Sequence, residues 1–228
     1  MIRQASPNFD NRPPGTAIDM LVLHYTGMPD RRAALDRLAD PAAKVSAHYV
    51  VDEDGTIFAL VDEERRAWHA GRSRWRGAAD VNDRSIGVEL VNPGHEFGYR
   101  PFPARQMVAL IGLASGILDR HPIPPRNVVG HADVAPARKQ DPGELFDWPG
   151  LAARGIGVWP AGPAPSGGSP DDACLRALLA RWGYDTTAPA AAVTAFQRHF
   201  RPACLDGRGD AETLHILRAL LALAGEEA

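Results

Sequence analysis

The chain has 228 residues, 45% of them hydrophobic and 23% charged, with a formal net charge of −3. That length admits one large domain or a medium one with a small companion, and the composition supports an ample core. The charge balance excludes the basic footprint of a nucleic-acid-binding protein, and no apolar run is long enough to span a membrane.

Residues 1–17 read as an irregular polar lead-in without the apolar core of a signal peptide. A cytoplasmic location is therefore expected if Met1 is the native start, and a periplasmic one if an export leader preceded it. The run Ile18 to Gly27 suits a strand buried on both faces, ended by Gly27 and Pro29, with His24 near the strand end where ligand sites gather. Asp30 caps a short helix that reaches Ala39 and stops at Pro41. Val45 to Val51 is the next strand, and Asp54-Gly55 turns it back into residues 56–61. His48 in that strand is expected to serve a local hydrogen bond. Residues 62–84 form a long connection of the kind that often carries function, and its arginines (Arg65, Arg66, Arg72, Arg74, Arg76) read as a solvated face.

Ser85 to Asn92 returns to strand pattern, with Ile86, Val88 and Leu90 on one face and Gly87, Glu89 and Val91 on the other. An unpaired carboxylate is costly in such a strand, so Glu89 either meets a cation or edges a polar cleft. Pro103 to His121 reads as a helix with Met107, Ile111, Ala114 and Leu118 along one stripe. Asn127 to Gly130 is a short strand delivering His131 into residues 129–143, whose prolines and glycines argue against regular helix. Lys139 and Asp141 are two apart, so an extended backbone there sets both on one side. The alternation of strands and helices, with one hairpin, predicts an α/β domain over residues 1–159, a mixed β-sheet flanked by helices.

Residues 160–168 are a Pro/Gly linker, and residues 169–228 read as a small all-α domain of three helices. Ser169 and Pro170 start the first, which carries Leu175, Leu178, Leu179 and Trp182. Val193, Phe196 and Phe200 mark the second. Asp210 caps the third, with Leu214, Leu217 and Leu221. A unit of about 60 residues is near the lower limit of independent stability. The third helix has Arg218 as its only Lys or Arg, which disfavours DNA binding. Cys174 and Cys204 form no metal-type pair; they would stay reduced in a cytosol and could bridge two helices in an oxidising compartment.

His24, His131 and Asp141 are ligand types that suit zinc and leave a fourth position open. They are far apart in the chain and there is no HExxH, so structural histidines remain an alternative. Glu89 as a base and Lys139 as a fixed cation add what hydrolysis of an amide needs: a deprotonated water, a counter-charge for the carbonyl oxygen and a proton for the departing amine.

The segments Leu23-His24-Tyr25-Thr26, Val45 to Tyr49, Ala67 to Gly71, Ser85 to Glu89, and Gly130 to Pro136 through Lys139 to Gly143 together resemble the type-2 amidases, zinc-dependent N-acetylmuramoyl-L-alanine amidases related to the peptidoglycan-recognition fold. The match runs in order through about residues 15–150. The tail resembles the three-helix peptidoglycan-binding module, more loosely, through Ala195-Phe196-Gln197-Arg198 and the Asp206-Gly207 turn. The resemblance implies Zn2+ held by His24, His131 and Asp141, with Glu89 as acid/base residue and Lys139 opposite the oxyanion. It implies substrate contacts from His69, Lys44, Tyr25 and Ala132. The implied substrates are muropeptides and anhydro-muropeptides, cut between the sugar lactyl group and L-alanine in cell-wall recycling or turnover; separately, a monomer is expected. Relatives that pair the amidase with a binding module are envelope lipoproteins, whereas leaderless cytoplasmic relatives usually lack the module. Two other readings are a non-catalytic peptidoglycan-recognition module and a zinc peptidase acting within the stem peptide.

Overall fold

The structure, a computed structural model, describes residues 1–160 and 171–225. The lead-in is more ordered than expected, because β1 (Ile2–Arg3) and β2 (Phe9–Asn11) each find a strand partner. β3 (Met20–Tyr25) is buried through His24. α1 (Arg31–Ala39) begins at Asp30, whose side chain accepts from the Ala33 amide as an N-cap should. β4 (Tyr49–Val51) and β5 (Ile57–Ala59) are the hairpin expected around Asp54-Gly55. β4 is shorter than residues 45–51; ahead of it, Ser46 gives its amide to the Trp68 carbonyl, outside the sheet. The His48 ring is fully buried, with Nδ1 accepting from the Gly87 amide, the local role expected of it.

The long connection is not structureless. It holds β6 (Arg65–Ala67), paired antiparallel with β2, a small hairpin of β7 (Arg74–Trp75) and β8 (Ala78–Ala79), and a 3-10 turn at Val81–Arg84. Part of its arginine run is spent within the protein, since Arg66 pairs with Asp10 and Asp83. β9 (Ser85–Leu90) and the short α2 (Gly94–Phe97) follow. α3 (Ala104–Arg120) buries Met107, Leu110, Leu113, Ala114 and Ile117. The buried stripe is rotated from the expected one, leaving Ile111 and Leu118 as half-buried flanks. β10 (Val128–Gly130) leads straight into α4 (His131–Val134), one helical turn where none was expected. It forms because the Asp133 carboxylate accepts from the Gly130 amide at 2.7 Å and Pro136 falls beyond its end. α5 (Trp148–Ala152), α6 (Asp172–Trp182), α7 (Pro189–Phe200) and α8 (Ala211–Leu223) complete the chain.

The main sheet runs β1-β5-β4-β9-β3-β10, parallel except at the β4/β5 hairpin. It is the mixed, helix-flanked sheet read from the sequence. Alternation splits β3 and β9 between two cores. Leu21, Leu23, Ile86, Val88 and Leu90 pack against α3 on one face. Met20, Val22 and Val129 on the other face share a single cluster with Trp75, Val134, Leu179, Trp182, Phe196 and Leu217. The C-terminal helices thus complete the sheet's second core instead of closing only on themselves. Polar contacts fasten them there: Arg126 donates to the carbonyls of Arg181 and Trp182 at 3.0 Å, and the Arg76 amide to that of Gly183 at 2.8 Å. Asp133 accepts from Tyr184 Oη at 2.6 Å and lies 2.7 Å from His199 Nδ1.

Asp171 caps α6, two residues later than the sequence suggested, while Ser169, Pro170 and residues 161–168 of the expected linker lie outside the described residues. Asp210 caps α8 as expected. Cys174 and Cys204 are free thiols. Among the described residues no helix is long and apolar enough to cross a membrane.

Candidate active site

Three parallel strands deliver the site at their carboxyl ends, where the crevice of an open α/β sheet lies. His24 is the fifth residue of β3 and Glu89 sits directly beside it in register on β9. His131 follows β10 immediately. Asp141 returns to this point because its carbonyl accepts from the Ala132 amide at 2.9 Å. A side chain at Gly130 would collide with Pro142, its Cβ only 2.7 Å from the ring Cδ, so glycine is needed where the two segments cross.

His24, His131 and Asp141 are 1%, 3% and 5% exposed. His24 Nδ1, His131 Nδ1 and Asp141 Oδ2 form a triangle with all three edges 3.0 Å. The surrounding hydrogen bonds set the ring tautomers. Ser85 Oγ donates to the Val81 carbonyl at 2.7 Å, so it must accept from His69 Nε2 at 3.1 Å. His69 Nδ1 is then an acceptor, and His24 Nε2 donates to it at 3.0 Å. His131 Nε2 donates to the Ala70 carbonyl, also at 3.0 Å. The imidazoles of His24 and His131 therefore each carry a proton on Nε2 and turn a bare Nδ1 lone pair toward the carboxylate. Two lone pairs and a carboxylate oxygen around one point need a cation between them, and the donor set fits a metal ion.

The electrostatics agree. Burial pushes His24 down to about 4, assisted by His131 and opposed by Asp141, so its ring is neutral at pH 7. Burial works against ionised Asp141, but positive charge and donated hydrogen bonds from the direction of His131 and His24, the place that a bound cation would take, hold the carboxyl below its usual range. Glu89 goes the other way: burial raises it well above an ordinary glutamate, Asp141 adds to this, and Lys139 opposes it. Its Oε2 is buried and has no hydrogen-bond partner among the described residues. A carboxyl poised to hold or release a proton therefore stands next to this His–His–Asp group.

The site opens on a cavity of about 700 Å3 bordered by Tyr25, His69, Glu89, His131, Lys139 and Asp141. Tyr25 Oη is 2.9 Å from His95 Nδ1. The segment after α4 is a turn, with the Arg138 and Lys139 amides both bonded to the Ala135 carbonyl, yet Lys139 and Asp141 still border the same space. Two expected substrate contacts fall outside the lining. Ala132 is buried in the core shared with the C-terminal helices. Lys44 is exposed at a left-handed turn (φ 51°), and its neighbours Val45 and Ser46 line the cavity instead. His69 borders the cavity, but both its ring nitrogens are committed to His24 and Ser85.

Ser85, Gly87 and the C-terminal residues were not singled out for the site. Their roles rest on contacts far apart in the chain. Gly87 carried a signal, a glycine inside an apolar strand, which marks close approach: a Cβ there would lie 2.6 Å from His69 Nδ1. Gly87→Ala is expected to push the His69 ring off its partners, costing roughly 1–3 kcal/mol of stability and about 10- to 100-fold in metal affinity. Denaturant unfolding and competitive metal titration would read the two effects.

The family model described as N-acetylmuramoyl-L-alanine amidase matches residues 14–144. N-acetylmuramoyl-L-alanine amidase AmiD of Escherichia coli (strain K12) is 44% identical over 238 residues, covering 92% of this chain and 84% of the relative. 1,6-anhydro-N-acetylmuramyl-L-alanine amidase AmpD of the same organism is 34% identical, covering 64% of this chain and 87% of its own. Among solved structures, the complex of E. coli AmiD with anhydro-N-acetylmuramic acid-L-Ala-D-gamma-Glu-L-Lys superposes with a TM-score of 0.85 at 42% identity, over 95% of this chain and 94% of that one. AmpDh3 from Pseudomonas aeruginosa gives 0.83 at 34% identity, over 99% and 100%. With the family model spanning more than half of its length, and the likeness to AmiD nearly all of it, the chain belongs to the N-acetylmuramoyl-L-alanine amidase (Amidase_2) family.

Proposed function

We propose that this amidase is zinc-dependent and hydrolyses the amide between the lactyl group of N-acetylmuramic acid, in its anhydro form or not, and the L-alanine of the stem peptide. The observation that carries this reading is the triangle of His24 Nδ1, His131 Nδ1 and Asp141 Oδ2, with Glu89 beside it. Around a tetrahedral zinc with bonds of ~2.0–2.1 Å, neighbouring ligand atoms are about 3.3 Å apart, close to the 3.0 Å edges seen. Zinc held there would supply Lewis acidity, bringing the pKa of water in the open position toward about 7.

The chain's own residues do the rest. Glu89 takes one proton from the attacking water as the carbon–oxygen bond forms. Its raised proton affinity lets it keep that proton until the carbon–nitrogen bond breaks, and then give it to the departing alanine nitrogen. Lys139, on the same cavity wall, opposes the negative charge that builds on the carbonyl oxygen.

AmiD is seen with an anhydro-muropeptide and AmpDh3 with an anhydromuramic pentapeptide. Soluble muropeptides of this kind are the proposed substrates here, which places the reaction in peptidoglycan recycling or turnover. Mass spectrometry of products from a defined anhydro-muropeptide tests the reading. The expected products are a sugar that keeps its lactate and an intact stem peptide with a free L-alanine amine. Chelation should stop their release and zinc should restore it. Cleavage within the peptide would make the protein a zinc peptidase, and binding without products would make it a recognition module.

A further inference from the structure

The C-terminal helices do more than cover the sheet. α7 contributes Ala191, Thr194 and Arg198 to the wall of the cavity that holds Glu89, Lys139 and Asp141. Thr194 Oγ1 is committed to the Ala190 carbonyl at 2.9 Å, which leaves Arg198 as the charged donor that α7 offers there. The Arg198 side chain is only 14% exposed. Its Nε is buried and finds no hydrogen-bond acceptor among the described residues. The nearest carboxylate oxygen, Glu144 Oε2, is 3.4 Å away, and Glu144 is already engaged by His95 Nε2 at 3.1 and 3.3 Å.

A largely buried guanidinium on the wall of a substrate cavity, with only the loose Glu144 pair at 3.4 Å on its Nε, can receive an oxyanion through its terminal nitrogens. The other cations there are placed differently. Arg138 gives its guanidinium to the carbonyls of Ala70 and Arg72. Arg37 is exposed on α1. Lys139 stands beside Asp141 and Glu89, at the reacting atoms. The peptide bound by AmiD, L-Ala-D-gamma-Glu-L-Lys, shows what anion is on offer. A γ-linked glutamate keeps its α-carboxylate free, and the last residue carries another.

Resting on the muropeptide reading above, we propose that Arg198 binds a carboxylate of the stem peptide, so that α7 forms part of the substrate site and selects free-acid over amidated peptides. The family model ends at residue 144, so this contact comes from outside the matched domain. The two carboxylates are told apart by three substrates: the anhydro-muropeptide tripeptide, its glutamate α-amide and its C-terminal amide. For the wild type, one of the two amidations is expected to raise KM roughly 10- to 100-fold, the scale of a lost charged hydrogen bond. Arg198→Gln should raise KM by the same factor on the free acid and by no more on that amide, with kcat changing far less. Arg198→Lys keeps the charge but not the planar fork and should fall between the two. A wild type indifferent to both amidations overturns the proposal even if the Gln variant fails to fold. So does an Arg198→Gln enzyme that loses the same extra factor on amidation as the wild type. Calorimetric binding of the free tripeptide and its two amides repeats the comparison without turnover: discrimination there supports the proposal and indifference overturns it. If the tripeptide discriminates while no substrate is cleaved, the muropeptide amidase reading fails and the Arg198 contact stands.

Discussion

Glu89→Gln is expected to lower kcat about a thousandfold, within the usual range for removing a general acid–base group, while the protein keeps its full complement of zinc. The substitution preserves shape and polarity but cannot carry a proton from water to the departing amine. KM should change little, because the loss falls on the transition state. A second consequence separates this role from a structural one. Burial raises the Glu89 carboxyl well above its ordinary value, so the folded state holds this proton more tightly than the unfolded chain does. Such a group destabilises the fold progressively as pH rises above its unfolded pKa, and the ionised form is the costly one. The metal-free Gln variant should therefore be more stable than wild type at pH 7, with the difference vanishing in acid. Steady-state kinetics, metal analysis and unfolding at two pH values make the comparison. A Gln variant with near-normal kcat and bound zinc would remove Glu89 from the mechanism.

Residues 1–160 expressed alone are expected not to fold stably. The cut would uncover Met20, Val22, Trp75, Val129 and Val134, none more than 2% exposed in the whole chain. At ~1.5–3 kcal/mol for each large apolar side chain fully exposed, even partial uncovering amounts to the order of 5–10 kcal/mol, comparable with the whole stability of a domain. Asp133 would also lose Tyr184 and His199, leaving a buried carboxylate two residues from His131 with only the Gly130 amide to meet it. Soluble yield, cooperative unfolding and zinc content of the shortened chain are the measurements. A shortened chain that melts within a few degrees of the full one and binds zinc equally well would show that the helices are dispensable to the fold.

That His24, Asp141 and Glu89 belong to one polar site was legible because each breaks a local rule. His24 ends an apolar strand, Glu89 puts a charge in the middle of another, and Asp141 follows a run of loop-forming residues. The relay from Ser85 through His69 to His24 was not legible, since it joins residues 16 and 45 positions apart and depends on ring orientation. His69 borders the cavity, as the resemblance implied, but that resemblance said nothing of its ring nitrogens being committed to His24 and Ser85. Ala132 and Lys44 came from the same resemblance and lie off the cavity wall, because a motif position does not set which side of the backbone meets the cavity. The three amphipathic helices were readable, but not the face of the sheet that they complete. Helical spacing says that a stripe must be buried and leaves open what buries it.

The positions of the ring hydrogens around His24 and His131 have a thermodynamic consequence. Ser85, His69 and Ala70 settle those positions without reference to any ion, so the coordination geometry exists beforehand as mutual repulsion among electron pairs that the fold holds together. A cation bound there would need no rearrangement of these rings and would relieve that repulsion. Affinity for the proposed metal and resistance to unfolding would then be two readings of one coupled equilibrium.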